Sequence, residues 1–379
     1  MTKYIWQLPI WPKLTWDSSA LLRPLGNTRQ AQGELLAKSA TLELKTKAEI
    51  LTEETLTTAA IEGEKLNQDS VRSSVARRLG LPAAGLPATE RHVDGLVEML
   101  IDATREHTTP LTAARLKGWH AALFPTGYSG IQKIATGEWR SDDTPMQVVS
   151  GPMGKEKVHF EAPPSNRIAE EMVAFLKWFN SSGEEMDGLL RAALAHFWFV
   201  TIHPFQDGNG RIARAIADMA LAQDEKAECR LYSVSAQIRD ERRRYYDILE
   251  RTQRGSGDIS EWIIWFLDCL NRAIKRSEAA VKNAMDKSRF WQSLARHTLN
   301  DRQRKVINRL FEAGPEGFEG GLTNRKYRGI TKTTRETAKR DMAALVEMGL
   351  LRKNPGKGRS SSYSLNWLPG RDSNPRHGG

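Results

Sequence analysis

Residues 203–214 read His203-Pro204-Phe205-Gln206-Asp207-Gly208-Asn209-Gly210-Arg211-Ile212-Ala213-Arg214. The apolar run Leu189 to Ile202 precedes this stretch and reads as a buried helix ending near His203. Behind it, Ile212, Ala213, Ala215, Ile216, Met219 and Ala220 recur at helical spacing, so a second helix is predicted to begin near Gly210. The stretch is therefore a loop that feeds a helix N-terminus. Unpaired N–H groups and the helix dipole make such a place attractive to anions. Gly208 and Gly210 let the backbone come close to a phosphate and take positive φ.

The side chains point to one chemistry. Arg211 and Arg214 lie three apart on the first helical turn, so both can face the anion. Asp207 is a single hard carboxylate beside the phosphate site, which is enough for Mg²⁺ when substrate oxygens complete the shell. His203 stands at the entrance and suits a general base, with an ordinary pKa of about 6.5. Pro204 and Phe205 are expected to fix the turn and anchor the loop. Each residue alone has a plain structural reading as a cap, a turn or a solvated charge. Their fixed order and spacing favour a site for a nucleoside triphosphate and an attacking hydroxyl.

The stretch matches H-P-F-x-D/E-G-N-G-R-x-x-R at every specified position. In this the chain resembles the Fic-domain (Fic/DOC) protein adenylyltransferases, which move AMP from ATP to a Tyr, Thr or Ser hydroxyl of a target protein. The resemblance implies that His203 is the catalytic base and that Asp207 holds Mg²⁺. It implies that Gly208, Asn209 and Gly210 cradle phosphates, and that Arg211 and Arg214 bind the β- and γ-phosphates. Tyr245 and Tyr246, on a helix at about 241–252, would help line the adenine pocket. The family is often restrained by a helix of pattern S/T-x-x-x-E-G/N, and Thr58, Glu62 and Gly63 fit it. Glu62 would then pair with Arg214 and block the γ-phosphate. The same glutamate could instead position water for the reverse, AMP-removing reaction, and some relatives use other nucleotide donors.

The expected fold is mainly α, with a Fic core over 89–290 behind an N-terminal helical domain at 1–88. Within the core, Met146–Ser150 and Lys157–Glu161 flank Gly151-Pro152-Met153-Gly154 and read as a β-hairpin. In the family such a flap docks the target segment, and a hairpin edge can hold an extended peptide. Helical patterning is read at about 28–79, 89–106, 112–123, 165–180 and 259–287, and 81–87 reads as a Pro- and Gly-bearing linker.

Residues 297–368 read as a separate module. Helices are expected at 301–313, 323–327 and 333–348, the third capped by Thr331 or Thr333, followed by a hairpin over 350–365. That is a winged helix-turn-helix pattern. Arg335, Lys339 and Arg340, with Lys353, Lys357 and Arg359 on the wing, could meet the phosphates of duplex DNA. A DNA-binding regulator that only senses nucleotide is the alternative of a different class. The tail 369–379 is expected to lack order.

Composition bounds the rest. The chain has 379 residues, a formal charge of +10, 40% hydrophobic and 27% charged residues. The basic balance favours acidic partners such as ATP or nucleic acid without choosing between them. Its two cysteines, Cys229 and Cys269, suggest neither a zinc site nor a disulfide framework. No apolar stretch approaches the about 20 residues of a membrane span, and no signal peptide is read at the N-terminus, so a cytoplasmic location without membrane contact is expected. A homodimer stays open.

Overall fold

In a computed structural model the chain is described over residues 4–39, 44–81, 88–150, 157–183, 185–228, 230–293, 299–313, 318–355 and 361–366. The linker residues Pro82–Pro87, the turn Gly151–Gly154, Cys229, Gly314-Pro315, Lys357, Arg359 and the tail lie outside them. The helices are α1 (Ser18–Ser39), α2 (Leu44–Ile61), α3 (Gln68–Arg78), α4 (Arg91–Arg105) and α5 (Ala113–Leu123). Two hairpins follow, β1 (Tyr128–Ser129) with β2 (Gln132–Lys133), and β3 (Gln147–Ser150) with β4 (Lys157–Glu161). Then come α6 (Ile168–Ser181), α7 (Gly188–Ile202), α8 (Asn209–Glu225), α9 (Val234–Asp240), α10 (Arg242–Gln253) and α11 (Ser260–Ser293). The chain ends with α12 (Asp301–Glu312), α13 (Asn324–Thr331), α14 (Arg335–Glu347), β5 (Leu351–Lys353) and β6 (Tyr363–Leu365). The fold is mainly helical.

Residues 1–278 form one unit. Its centre is α7, which is apolar almost all round and buried from Arg191 to Ile202 without a break. A helix with no polar face belongs in the middle of a core. Asp187 caps it by accepting the N–H groups of Leu189 and Leu190. α7 stops where His203 turns left-handed, at φ 52°. α8 starts behind Gly208, at φ 78°, and buries nearly its whole length against α7. The loop between these two rigid helices carries the site.

The N-terminal segment is fastened to this core by polar anchors. Trp6 Nε1 donates to Glu161 O and Trp11 Nε1 to Glu171 Oε2, each at 2.7 Å. On α1, Arg29 bridges the Asp187 cap and Asp224 of α8. On α2, Glu54 accepts from Ser233 Oγ at 2.6 Å and from Ser235 N, which ties α2 to the start of α9.

The helical pattern expected over 28–79 is divided among α1, α2 and α3. α1 starts ten residues early because Pro24 and Gly26 mask its first turns, and Thr28 Oγ1 donates back to Pro24 O. The short α9 and the β1–β2 hairpin were not expected. α11 continues to Ser293, beyond the expected 287.

Residues 279–379 form a second unit. Val306, Ile307 and Leu310 of α12 pack with Tyr327 of α13, Met342 and Leu345 of α14, and Leu351 and Leu365 of the β5–β6 hairpin. The N-cap of α14 is Thr334, whose side chain accepts from Thr337 N. Thr331 instead ends α13, and Lys332 closes that helix in the left-handed region, so neither Thr331 nor Thr333 can cap α14. No described helix is long and apolar enough to cross a membrane.

Leu345 is fully buried in this second core. Leu345→Ala should cost about 2–5 kcal/mol in chemical denaturation. A loss below about 0.5 kcal/mol, typical of surface changes, would contradict the packing described.

Candidate active site

The loop 203–208 and the first turn of α8 open onto a cavity of about 880 Å³. His203, Asp207, Gly208, Asn209, Gly210, Tyr245, Tyr246 and Glu62 all line it, as do both strands of the β3–β4 hairpin. Arg214 meets Glu62 beside this wall. All of these were expected from the sequence; Arg211, also expected, is not among the lining residues and pairs with Glu64 instead.

His203 is held by its backbone and its ring. Its N–H closes the last turn of α7 on Phe199 O, and Nδ1 lies 3.2 Å from Val200 O. A carbonyl partner makes Nδ1 the protonated nitrogen and leaves the lone pair on Nε2. Burial pushes the imidazole down to about 4; the bond to Val200, Asp207 and Glu62 oppose this and Arg140 adds to it. The ring is therefore neutral near pH 7, as a base must be.

The loop closes on itself through Asn209. Its Oδ1 accepts from Phe205 N at 3.0 Å and its Nδ2 donates to Phe205 O at 2.8 Å. The Asn209 side chain is thus used to shape the loop, and only its backbone is left for an anion. Gly208 approaches Phe124 so closely that a Cβ would lie 2.9 Å from the ring. Phe205 stacks flat on His120, with centroids 4.2 Å apart. His120 Nδ1 in turn accepts from Gly137 N at 2.9 Å.

Both arginines already have carboxylate partners. Arg214, 3% exposed, donates from Nη2 to Glu62 Oε1 at 2.8 Å and to Thr58 O at 2.9 Å, and from Nε to Thr58 Oγ1 at 2.7 Å. Burial works against its charge, but Glu62 beside it holds the guanidinium above its ordinary value. A side chain at Gly210 would collide with Glu62 Oε1, so this carboxylate lies directly on the helix N-terminus. Arg214 Nη1 has no hydrogen-bond partner among the described residues. Arg211 pairs with Glu64 at 2.9 Å, lies 3.8 Å from Asp207 and covers the Phe124 ring. No sequence pattern pointed to Glu64.

Asp207 accepts from Gly208 N at 2.6 Å and from Ser129 Oγ. No cluster of three metal-ligating side chains exists among the described residues. A lone, half-exposed carboxylate next to an anion nest fits Mg²⁺ carried in on phosphate oxygens, and would not fit a metal held by protein alone. The two tyrosines differ. Tyr245 is 2% exposed, packs on Trp262 and Trp265, and meets His196 Nε2 through its hydroxyl at 2.9 Å. Tyr246 is 36% exposed and has the face more open to a base.

The hairpin is pinned over the cavity. His159 bridges Ser150 Oγ, at 2.5 Å, and Glu250 Oε2 of α10, at 2.6 Å, while Arg254 donates to Val158 O and His159 O. Its pairing slips one residue between Val148 and Val149.

Residues 110–221 match the family model described as Fic/DOC family, and residues 4–81 match a domain of unknown function, DUF4172. The chain carries a Fic domain. The protein adenylyltransferase Fic of Drosophila ananassae is 25% identical over 255 residues, 67% of this chain and 46% of that protein. Its Drosophila melanogaster counterpart is 30% identical over 113 residues, 30% of this chain and 21% of that protein. The chain therefore spans less than half the length of these relatives. A Fic family protein from Desulfovibrio desulfuricans G20 shares the fold, with TM-score 0.55 and 19% identity over 93% of this chain and 97% of that one. A Fic domain containing signaling protein from Bacteroides thetaiotaomicron has TM-score 0.50 and 19% identity, covering 68% of this chain and 97% of that one.

The Fic domain buries more than one neutral histidine. Burial pushes His120 down to about 4 and His196 to about 3. An unfolded chain takes up these protons near pH 6.5, whereas the folded one resists until about pH 4. Stability should therefore fall as pH drops from 6.5 toward 4, with proton uptake on unfolding, in urea melts at stepped pH. Equal midpoints at pH 7 and pH 5 would contradict neutral burial of these rings.

Proposed function

We propose that the chain is an Mg²⁺-dependent protein adenylyltransferase restrained by Glu62. The observation that carries this reading is the Glu62 carboxylate lying on Gly210 and Arg214, in the place that an anion nest and a buried guanidinium suit for phosphate. The names of the relatives, protein adenylyltransferase Fic, agree with it.

The target hydroxyl gives its proton to His203 Nε2 as its oxygen attacks the α-phosphorus of ATP. The bond from that phosphorus to the bridging oxygen breaks, and pyrophosphate leaves. The first-turn N–H groups of α8, with Arg211 and Arg214, hold the polyphosphate in line. Asp207 would hold Mg²⁺, which when bound neutralises charge on the polyphosphate and the leaving group. Catalysis is then mostly placement and charge neutralisation. Tyr246, with Tyr245 behind it, would form the adenine wall. The β3–β4 hairpin would present the target segment.

Glu62 blocks this chemistry by holding Arg214 and covering the nest, so ATP can enter only with its α-phosphate misplaced. Its side chain stays 32% exposed, which also leaves room for a water. The AMP-removing direction is therefore the second reading, with Glu62 positioning water and His203 protonating the leaving hydroxyl.

For residues 297–368 we propose a winged-helix module that binds duplex DNA. Arg335, Lys339 and Arg340 on α14 and Lys353 on β5 are all exposed. Cations so placed would release counterions from phosphate, and binding should weaken steeply with salt. No duplex binding at low salt would favour docking to a protein.

His203→Ala should lower AMP transfer by about 10²–10⁴-fold while ATP binding is kept, read as protein-bound label from α-labelled ATP. Transfer at the wild-type rate would remove His203 as base. Asp207→Ala should weaken dependence on Mg²⁺ and slow turnover, and EDTA should stop the wild type. Full activity in EDTA would exclude the metal.

A further inference from the structure

His203 stands on a turn that needs a holder. A non-glycine residue at φ 52° is uncommon, and the last carbonyls of α7 have no helical N–H to meet them. Arg140 meets them. Its Nε donates to His203 O at 2.8 Å, and its Nη2 reaches Ile202 O at 3.5 Å. Its own backbone N–H donates to Pro204 O at 2.9 Å. The same Nη2 also donates to Pro163 O, two residues beyond β4.

Arg140 is 3% exposed, and among the described residues it forms no ion pair, the Asp142 carboxylate only opposing through space the burial that lowers its guanidinium. Burying a guanidinium without a counter-ion is costly. The negative end of the α7 dipole offsets part of that cost. Lysine would carry the charge but could not span separate carbonyls, because its donors radiate from one nitrogen.

We propose that Arg140 is the positioning residue of the catalytic base. Its fork fixes the left-handed turn that presents His203 to the cavity and locks the foot of the β3–β4 hairpin to that turn. Base and target-docking edge then share one rigid mount. This rests on the transfer reading above. Burial lowers the Arg140 guanidinium itself only to about 10, so it stays charged at neutral pH. The charged groups facing the His203 ring are Arg140, Asp207 and Glu62. Of these only Arg140 disfavours a proton on the imidazole.

Two variants separate the fork from the charge. In full-length Glu62→Gly protein, Arg140→Met and Arg140→Lys should both lower kcat on the order of 10²-fold, the scale of a misplaced reacting group. KM for ATP should stay within about threefold of the parent, since Arg140 touches no phosphate contact. In otherwise wild-type labelled protein, nuclear magnetic resonance of the His203 ring should show Arg140→Met titrating higher, toward the ordinary value of about 6.5. Arg140→Lys should leave that titration near wild type. An Arg140→Met protein with parental kcat and an unmoved His203 titration would overturn the proposal. If Arg140→Met does not fold, Arg140→Lys decides alone, and parental kcat there overturns it. If Glu62→Gly/His203→Ala transfers AMP as fast as Glu62→Gly, the transfer reading fails, and the His203 titration still tests the mount.

Discussion

Arg214 is buried beneath the first turn of α8, where the helix already gathers positive potential, and such a site must hold something negative. Glu62 supplies the charge at 2.8 Å, and Thr58 accepts from Nε and Nη2. Removing either ionic partner would leave a charge without compensation, which is why breaking such pairs is costly. Much of the first unit follows from this. α2 must lie where its end reaches Gly210, so Glu54 anchors it at Ser233. α7 and α8 are buried along nearly their whole length, which fixes the loop between them that carries His203 and Gly208.

The pairing of Arg211 with Glu64 extends the same logic. Two residues from one short segment satisfy two arginines of the motif. In the proposed reading a triphosphate would offer charge to both at once, so nucleotide and segment would compete for the same donors.

How much of this was legible depended on sequence distance. The loop between α7 and α8 was readable because its caps, glycines and arginines are consecutive. The β3–β4 hairpin was readable from two β-favouring runs. Glu62 was readable only through a family pattern, since no local rule sends a helix-terminal glutamate to Arg214. Arg140, His120, Glu64 and Ser129 act on the loop from 60 or more residues away, and their roles are invisible to periodicity. Asn209 was assigned to phosphate, yet its side chain bonds to Phe205 on both sides, because a turn this tight must satisfy its own backbone. α1 begins ten residues before the expected start, because Pro24 and Gly26 are poor helix formers that hide its first turns from the pattern.

The most direct test is the label transferred from α-labelled ATP to protein by purified Glu62→Gly, compared with wild type at equal ATP and Mg²⁺. The account predicts more label, because Arg214 and the helix N-terminus are freed for the γ-phosphate. It also predicts that adding His203→Ala returns the signal to background. Unchanged or lower labelling by Glu62→Gly, with ATP binding retained, would contradict restraint by this carboxylate.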